Sequence, residues 1–339
     1  MIARSLKKKF QRYLKSTKER NSKTQSKLDN CYKDGLGVTK NEEKTFQWYM
    51  KSAEGGNHMG QNNLGYWYHH GIGTTKDEKK AFQLYLKSAE EGYHRGQYNL
   101  GNCYYNGIGT AKDEKKAFQW YMKSAEGGDT LGQFNLGYCY LNGIGTTKDE
   151  KKAFQWFLKS AEGGDSEGQN NLGYCYHYGI GTTKDERKAF QWYMKSAEGG
   201  CHKGQYNLGY CYYNGIGTTK DEKKAIHWYS ISAKGGNRYA QNSLDEEKIF
   251  HRHLKSAEEG NADGQNKLGY CYLLGIGTIK DDEKAFQLYI KSAEGGNNGG
   301  QYSLANCYFF GIGTTKDEKK ALRWYVKSSK GGNKGNKVE

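Results

Sequence analysis

Three sets of residues in this 339-residue chain have the types and spacing to suggest chemistry: a recurring G-I-G-T-T-K segment, nine histidines and eight cysteines. Gly-rich turns that lead into helices can cradle anions on free backbone N–H groups. The spacing here does not suit a nucleotide. A phosphate loop needs G-x-x-x-x-G-K-[ST] after a strand, and a dinucleotide fingerprint needs a third Gly where Lys76 stands. Because the same turn recurs at one place in a longer pattern, it reads as structural. The histidines, His58, His69, His70, His94, His177, His202, His227, His251 and His253, include no pairing with Cys or with a second His at a metal-ligand spacing. His251 and His253 lie two apart and point to different sides of a helix. No metal and no cofactor are expected.

Seven cysteines (Cys31, Cys103, Cys139, Cys175, Cys211, Cys271 and Cys307) share one position of the repeated pattern, and Cys201 stands outside it. Equivalent sites in stacked helical repeats lie roughly 10 Å apart, whereas a disulfide tolerates only about 7 Å between Cα atoms. Free thiols packed among Leu and Tyr behave as inert small hydrophobes, so a reactive series is not expected. Unpaired cysteines imply a reducing compartment. The first residues carry no apolar h-region, and no apolar run approaches the roughly 18 residues of a membrane span. A cytoplasmic location is the expectation.

These residues are positioned by a 36-residue unit. Starting at Gln61 it reads QNNLGYWYHHGIGTTKDEKKAFQLYLKSAEEGYHRG, and whole copies begin at 25, 61, 97, 133, 169, 205, 265 and 301. Regular self-similarity of this period signals a stacked array rather than two or three compact domains. Each unit predicts two helices. Gly55 and Gly56 followed by Asn57 end one helix and cap the next, and Gly71 and Gly73 form the turn within the unit. Asp77 is the expected cap of the second helix; Thr75 is a rival, but Ala111 and Ile279 replace it where Asp113 and Asp281 persist. Ala81, Phe82, Tyr85, Leu86 and Ala89 form a wide apolar stripe at helical period, facing Leu64, Tyr68 and the small Gly65. Gly60 and Gly65 each cost a helix about 1 kcal/mol against Ala, which only close packing would offset. One helix pair cannot bury both sides of such a stripe, so successive pairs must stack.

The signature running from Leu172 to Gly200, L-G-Y-C-Y-x-x-G-I-G-T-T-K-D-E-x-K-A-F-Q-W-Y-x-K-S-A-E-G-G, resembles the Sel-1-like repeat, a relative of the tetratricopeptide repeat. The likeness covers nearly the whole chain and implies an all-α fold, a right-handed α/α superhelix. Departures are Gly at 60, 96 and 132, where the family often has Ala, and Thr75, where it often has Pro; the chain has no Pro at all. The paired cysteines of secreted members are absent. Some members have been linked to β-lactam binding, which calls for S-x-x-K with a K-T-G partner; only Ser5 to Lys8 fits the first, and the second is missing. Catalysis therefore has no foothold, and an enzyme is not expected.

What differs between copies is more telling than what they share. Unit positions 2, 6 and 9 lie at i, i+4 and i+7 of the first helix, and the resemblance implies that first helices line the concave side. The triplets are Asn62, Tyr66, His69; Tyr98, Asn102, Tyr105; Phe134, Tyr138, Leu141; Asn170, Tyr174, His177; and Tyr206, Tyr210, Tyr213. A Tyr- and Asn-rich groove suits a partner protein or peptide, since Tyr offers a large, rather rigid surface with a hydroxyl. The bland alternative is that the position 6 Tyr packs between repeats. Lys112, Lys116 and Lys123 share one face of the second helix beside Asp113 and Glu114, which reads as a solvated outer face.

The domain reading is a basic half-repeat at 1–24, six repeats at 25–240, a truncated unit at 241–264, two repeats at 265–336 and a tail at 337–339. The truncated unit lacks twelve residues, its positions 5 to 16, between Leu244 and Asp245. With the turn gone, Arg238 to Glu259 contains no Gly and is expected as one continuous helix that breaks or bends the array. Of the net charge of +15, +8 falls in residues 1–24, so a basic end is present but a basic domain is not. The leading expectation is a protein-interaction scaffold with proteins or peptides as partners. The alternative is the regulatory array of a signalling protein whose kinase domain is not in this chain, since such repeats often follow one and residues 1–24 start in mid-repeat. A basic N-terminal nucleic-acid binder is a distant third.

Overall fold

The computed structural model describes residues 42–332, and all sixteen elements among them are helices. In chain order they are α1 Glu42–Glu54, α2 His58–His70, α3 Glu78–Glu90, α4 His94–Asn106, α5 Glu114–Glu126, α6 Thr130–Asn142, α7 Glu150–Glu162, α8 Ser166–Tyr178, α9 Glu186–Glu198 and α10 His202–Asn214. Then follow α11 Glu222–Lys234, α12 Arg238–Glu258, α13 Ala262–Leu274, α14 Asp282–Glu294, α15 Asn298–Phe310 and α16 Glu318–Gly332. Two compact units divide the chain, Met1–Gly204 and Gln205–Glu339. Cys31, the basic segment 1–24 and the Ser5 to Lys8 tetrad lie outside the described residues.

The start and stop chemistry is local. The Gly60 N–H donates to the Asn57 side-chain oxygen at 2.9 Å at the head of α2, and the Lys80 N–H donates to Asp77 at 2.9 Å at the head of α3. Asp is thus the cap of every second helix with a described cap, and Thr75 is not. The Lys80 backbone N–H holds the Asp77 carboxyl below the usual carboxylate range. First helices end on a glycine in the left-handed region: Gly107 has φ 77° and donates its N–H to Cys103 at 2.8 Å.

In the first unit the apolar stripe closes over Ala117, Tyr121, Leu136, Cys139, Ala153, Phe157, Leu172 and Cys175, all buried. The second unit repeats the pattern with Ala285, Tyr289, Leu304 and Cys307. Edge-on contacts link each second helix to the next first helix: Phe82 and Tyr104 lie 5.5 Å apart at 89°, and Phe118 and Tyr140 5.3 Å apart at 90°.

Two small residues set how close the helices come. Gly101 of α4 faces the Tyr121 ring of α5, where a Cβ would sit 2.7 Å from the ring. Gly132 of α6 rests on Ser124 of α5, and a Cβ there would collide with the serine hydroxyl. Ser124 is fully buried, and its hydroxyl donates to the His94 carbonyl of α4 at 2.7 Å. One serine therefore joins three helices. Ser88, Ser160 and Ser196 make the same bond, each to a carbonyl thirty residues earlier.

The truncated unit forms a single helix, α12, of 21 residues. Its second half keeps the repeat register: Phe250 meets Tyr272 at 5.5 Å and 86°, as Phe286 meets Tyr308 at 5.5 Å and 87°. Its first-helix half is too short to cover it, so Ile249 is 39% exposed where Ala225 and Ala285 are completely buried.

Helix propensity alone predicts that Gly132→Ala stabilises by about 1 kcal/mol. The contact with Ser124 reverses the sign, and overpacking should destabilise the chain by about 1–3 kcal/mol in chemical denaturation.

Candidate partner-binding groove

The first helices of the first unit present the variable triplets, but not all at one depth. At position 6, Tyr66, Tyr138 and Tyr174 are 45%, 40% and 40% exposed, and Tyr210 of the second unit is also exposed. Asn102, at the same position, is half-buried and accepts a 2.7 Å hydrogen bond from the Tyr121 hydroxyl. At position 2, Asn62 and Asn170 are buried, and Asn62 accepts from the Asn99 amide at 2.7 Å. Tyr98 and Phe134 lie half-buried against the core rings Tyr121 and Phe157, with centroids 6.3 and 6.0 Å apart. Tyr206 stands likewise 5.5 Å from Tyr229 in the second unit.

Position 9 is partly covered as well. His69, Tyr105, Leu141 and Tyr213 are half-buried and His177 is buried, its ring stacked 4.4 Å from Tyr178. Burial lowers the pKa of His69 and of His177, with His70 and Lys184 adding to it respectively, so both rings are neutral at pH 7. The exposed floor is therefore position 6 with the flanks of positions 2 and 9. The buried Asn62, Asn170 and His177 support it from below rather than meeting solvent. In the first unit these residues surround a cavity of about 600 Å³ lined by Asn62, Tyr66, His69, Tyr98, Asn99 and Asn102. Arg95 stands at its edge, over the Tyr98 ring at 5.6 Å and paired with Asp129 at 2.9 Å. The surface offers amide, phenol and imidazole groups with little net charge.

The other faces are accounted for by packing. Gly109 of the G-I-G turn lies so close to the Glu78 carbonyl of the preceding second helix that no Cβ fits, so that glycine serves contact between repeats. Lys116 sits 5.3 Å over the Tyr104 ring and Lys123 4.2 Å over Trp120, while Lys148 pairs with Glu150 at 2.8 Å. An outer face of exposed, locally paired lysines fits a solvated surface. Burial pushes the Cys103, Cys139 and Cys175 thiols up to about 12.

Reasoning on histidine spacing overlooked one cluster. Glu247 and His251 lie four apart on α12, with carboxylate and imidazole nitrogen 3.5 Å apart, and Glu222 of α11 joins them. The i, i+4 Glu-His pair was readable in the sequence; Glu222, 25 residues earlier, reaches it only through the fold.

These features define a helical-repeat solenoid that exposes a variable face. A family profile for the Sel1 repeat matches residues 30–57, 58–93, 94–129, 130–165, 166–201, 202–237, 262–297 and 299–333. The chain belongs to the Sel1 repeat family. Among solved structures it is similar to a protective antigen of uropathogenic Escherichia coli strains displaying an SLR fold, with 33% identity over 95% of this chain and 73% of that one, TM-score 0.59. It is also similar to a Sel1 repeat protein from Oxalobacter formigenes, with 31% identity over 79% of this chain and 96% of that one, TM-score 0.57. No curated protein matches the sequence. Sel1 repeat proteins generally mediate protein–protein interactions and are typically non-catalytic. Among the described residues no helix is long and apolar enough to cross a membrane.

Site-resolved alkylation at pH 8 should leave Cys103, Cys139 and Cys175 unmodified in the native chain and label them after denaturant is added. Their folded pKa is raised, so the stability they contribute is complete below the free-thiol value of about 8.5 and is lost as pH climbs towards 12.

Proposed function

We propose that the chain is a non-enzymatic scaffold that binds partner proteins or peptides along the Tyr- and Asn-rich face of its first helices. The observation that carries this reading is the exposure of Tyr66, Tyr138 and Tyr174 at one repeat position, beside half-buried amides and neutral histidines. A large aromatic left 40–45% exposed adds less to the repeat core than a buried one, while it supplies rigid contact area to a partner. Tyr85 and Tyr121, at the core position of the second helix, are almost completely buried and serve the fold instead. Amide side chains at positions 3 and 6, such as Asn99 and Asn102, can bond a peptide backbone without demanding one sequence. Variation of these positions from copy to copy then sets which side chains each stretch of partner meets. The cavity of about 600 Å³ beside Tyr66 and Tyr98 is of a size to take one or two side chains of a bound chain.

A photo-crosslinking side chain at position 138 should capture a protein partner, and one at the outward Gln119 should not. Replacing Tyr66, Tyr138 and Tyr174 together by Ala should weaken that partner's affinity about 10-fold or more, as loss of interface aromatics does. The matching outer-face variant, Gln83, Gln119 and Gln155 to Ala, should leave affinity unchanged. Equal capture at positions 138 and 119, or equal affinity of the two triple variants, defeats the assignment.

A further inference from the structure

The missing twelve residues change the chemistry of the second unit as well as its helix count. In a complete unit the G-I-G turn lies over the first turn of the preceding second helix: Gly313 covers the Asp282 carbonyl, and Gly277 covers that of Glu246. The truncated unit has no such turn, so nothing of that kind covers the first turn of α11, where Glu222 is the first residue. What faces Glu222 is the middle of α12, a stretch the repeat pattern never places there. Glu247 and His251 project from successive turns of α12 toward it, and ligand-capable atoms of all three residues lie within 4.8 Å of one another.

We propose that Glu222, Glu247 and His251 form a binding site for one divalent metal ion of zinc's class, created by the loss of the turn. The donor set is two carboxylates and one imidazole, which favours zinc-like ions over calcium or magnesium, whose sites are built from oxygen alone. Three protein ligands and one open position match the coordination of exchangeable zinc sites. The geometry is nearly formed. With metal–ligand bonds of about 2.0–2.1 Å a tetrahedral site spaces its donors about 3.3 Å apart, and the Glu247 carboxylate and His251 nitrogen already stand at 3.5 Å. The exposed Glu222 side chain, whose ligand atom lies within 4.8 Å of the other two, is the one that closes in.

The surroundings favour a cation. The Glu247 side chain is 13% exposed, and burial, with the Glu222 carboxylate adding to it, pushes its carboxyl up against the opposing pull of His251. Burial and then the carboxylates of Glu222, Glu247 and Glu246 raise the Tyr213 hydroxyl, which places a third carboxylate, Glu246, and a phenol near the ligands. Lys280 lines the same cavity of about 360 Å³ and pairs with Asp282 at 3.3 Å. Lys248 on α12 pairs with Asp245 at 3.2 Å. An ion held between α11 and α12 would tie together two helices that the deleted turn no longer clamps, with its open position toward the cavity.

The test uses the full chain, stripped with a chelator and titrated with zinc chloride in a calorimeter, with cobalt(II) as a coloured probe of coordination. Expected are one equivalent of zinc bound at micromolar or tighter affinity, a tetrahedral cobalt spectrum, and a thermal midpoint that rises with zinc concentration. His251→Gln and Glu222→Gln should each weaken binding by about 10–100-fold and abolish the cobalt colour, because each removes one of three ligands. His253→Gln, on another side of the same helix, should change nothing. Circular dichroism of each variant verifies that the helices remain. Zinc binding that survives in both ligand variants, or no zinc binding up to millimolar concentration, overturns the proposal.

Discussion

The structure depends on how close three helices can come at one buried serine. Ser124 occupies a place on α5 that would otherwise be apolar, and it is there because its hydroxyl satisfies the His94 carbonyl of α4 while its small volume leaves room for Gly132 of α6. An Ala would forfeit the bond, and anything larger would part the helices. Buried hydroxyls cost free energy unless paired, and here the His94 carbonyl supplies the partner. The same contact recurs along the array, with Ser88, Ser160 and Ser292 bonded at 2.7, 2.9 and 2.6 Å. Glycine inside a helix, unfavourable in isolation, is the condition for this approach.

Much of the architecture was legible in the sequence because it is written in local terms. Period, caps and turn glycines depend on residues within a few positions of one another, and the apolar stripe of Ala81, Tyr85 and Ala89 repeats without ambiguity. The role of Ser88 was not legible: on a stripe that also holds Tyr85 and Ala89, a serine reads as neutral until its carbonyl partner thirty residues earlier is seen. The groove was legible as a face but not in depth. Spacing of i, i+4 and i+7 puts Asn62, Tyr66 and His69 on one side of α2, yet the three differ in burial. Tyr66 emerges, while Asn62 is held beneath by Asn99. Contacts between elements were invisible for the same reason, Glu222 beside His251 above all.

Invariance and variation divide the unit on physical grounds. Leu100, Ala117, Tyr121 and Ser124 are buried and Gly101 lies against the Tyr121 ring, so any change there is felt by the packed neighbours. At position 6, Tyr66 and Tyr138 are exposed while Asn102 bonds the Tyr121 hydroxyl, so the stack accepts different side chains there. Freedom from packing is what allows a surface to be specialised. The second-helix lysines are free in the same sense, but Asp113, Glu150 and the rings of Tyr104 and Trp120 neutralise or shield them, which leaves that face without a strong field.

The truncated unit shows how far this division extends. In a repeat array each unit contacts only its neighbours, so removal of twelve residues perturbs locally. Downstream, Phe250 and Tyr272 keep the edge-on contact of a complete unit, and Leu268 and Cys271 remain buried beneath them. Upstream, Ala225 and Tyr229 keep a core of their own with Ala240 from the start of α12. The loss falls on the turn that would have covered the first residues of α11 and on the partners of Ile249. Acidic side chains at Glu222, Glu246 and Glu247 are therefore brought to one cavity by a single change in chain length. Had the deletion been any length that shifted the second-half register, Phe250 would have turned away from Tyr272 and the downstream stack would have lost its first contact. Twelve residues remove the turn and about half of one helix while restoring that register, which is why the array continues past the defect.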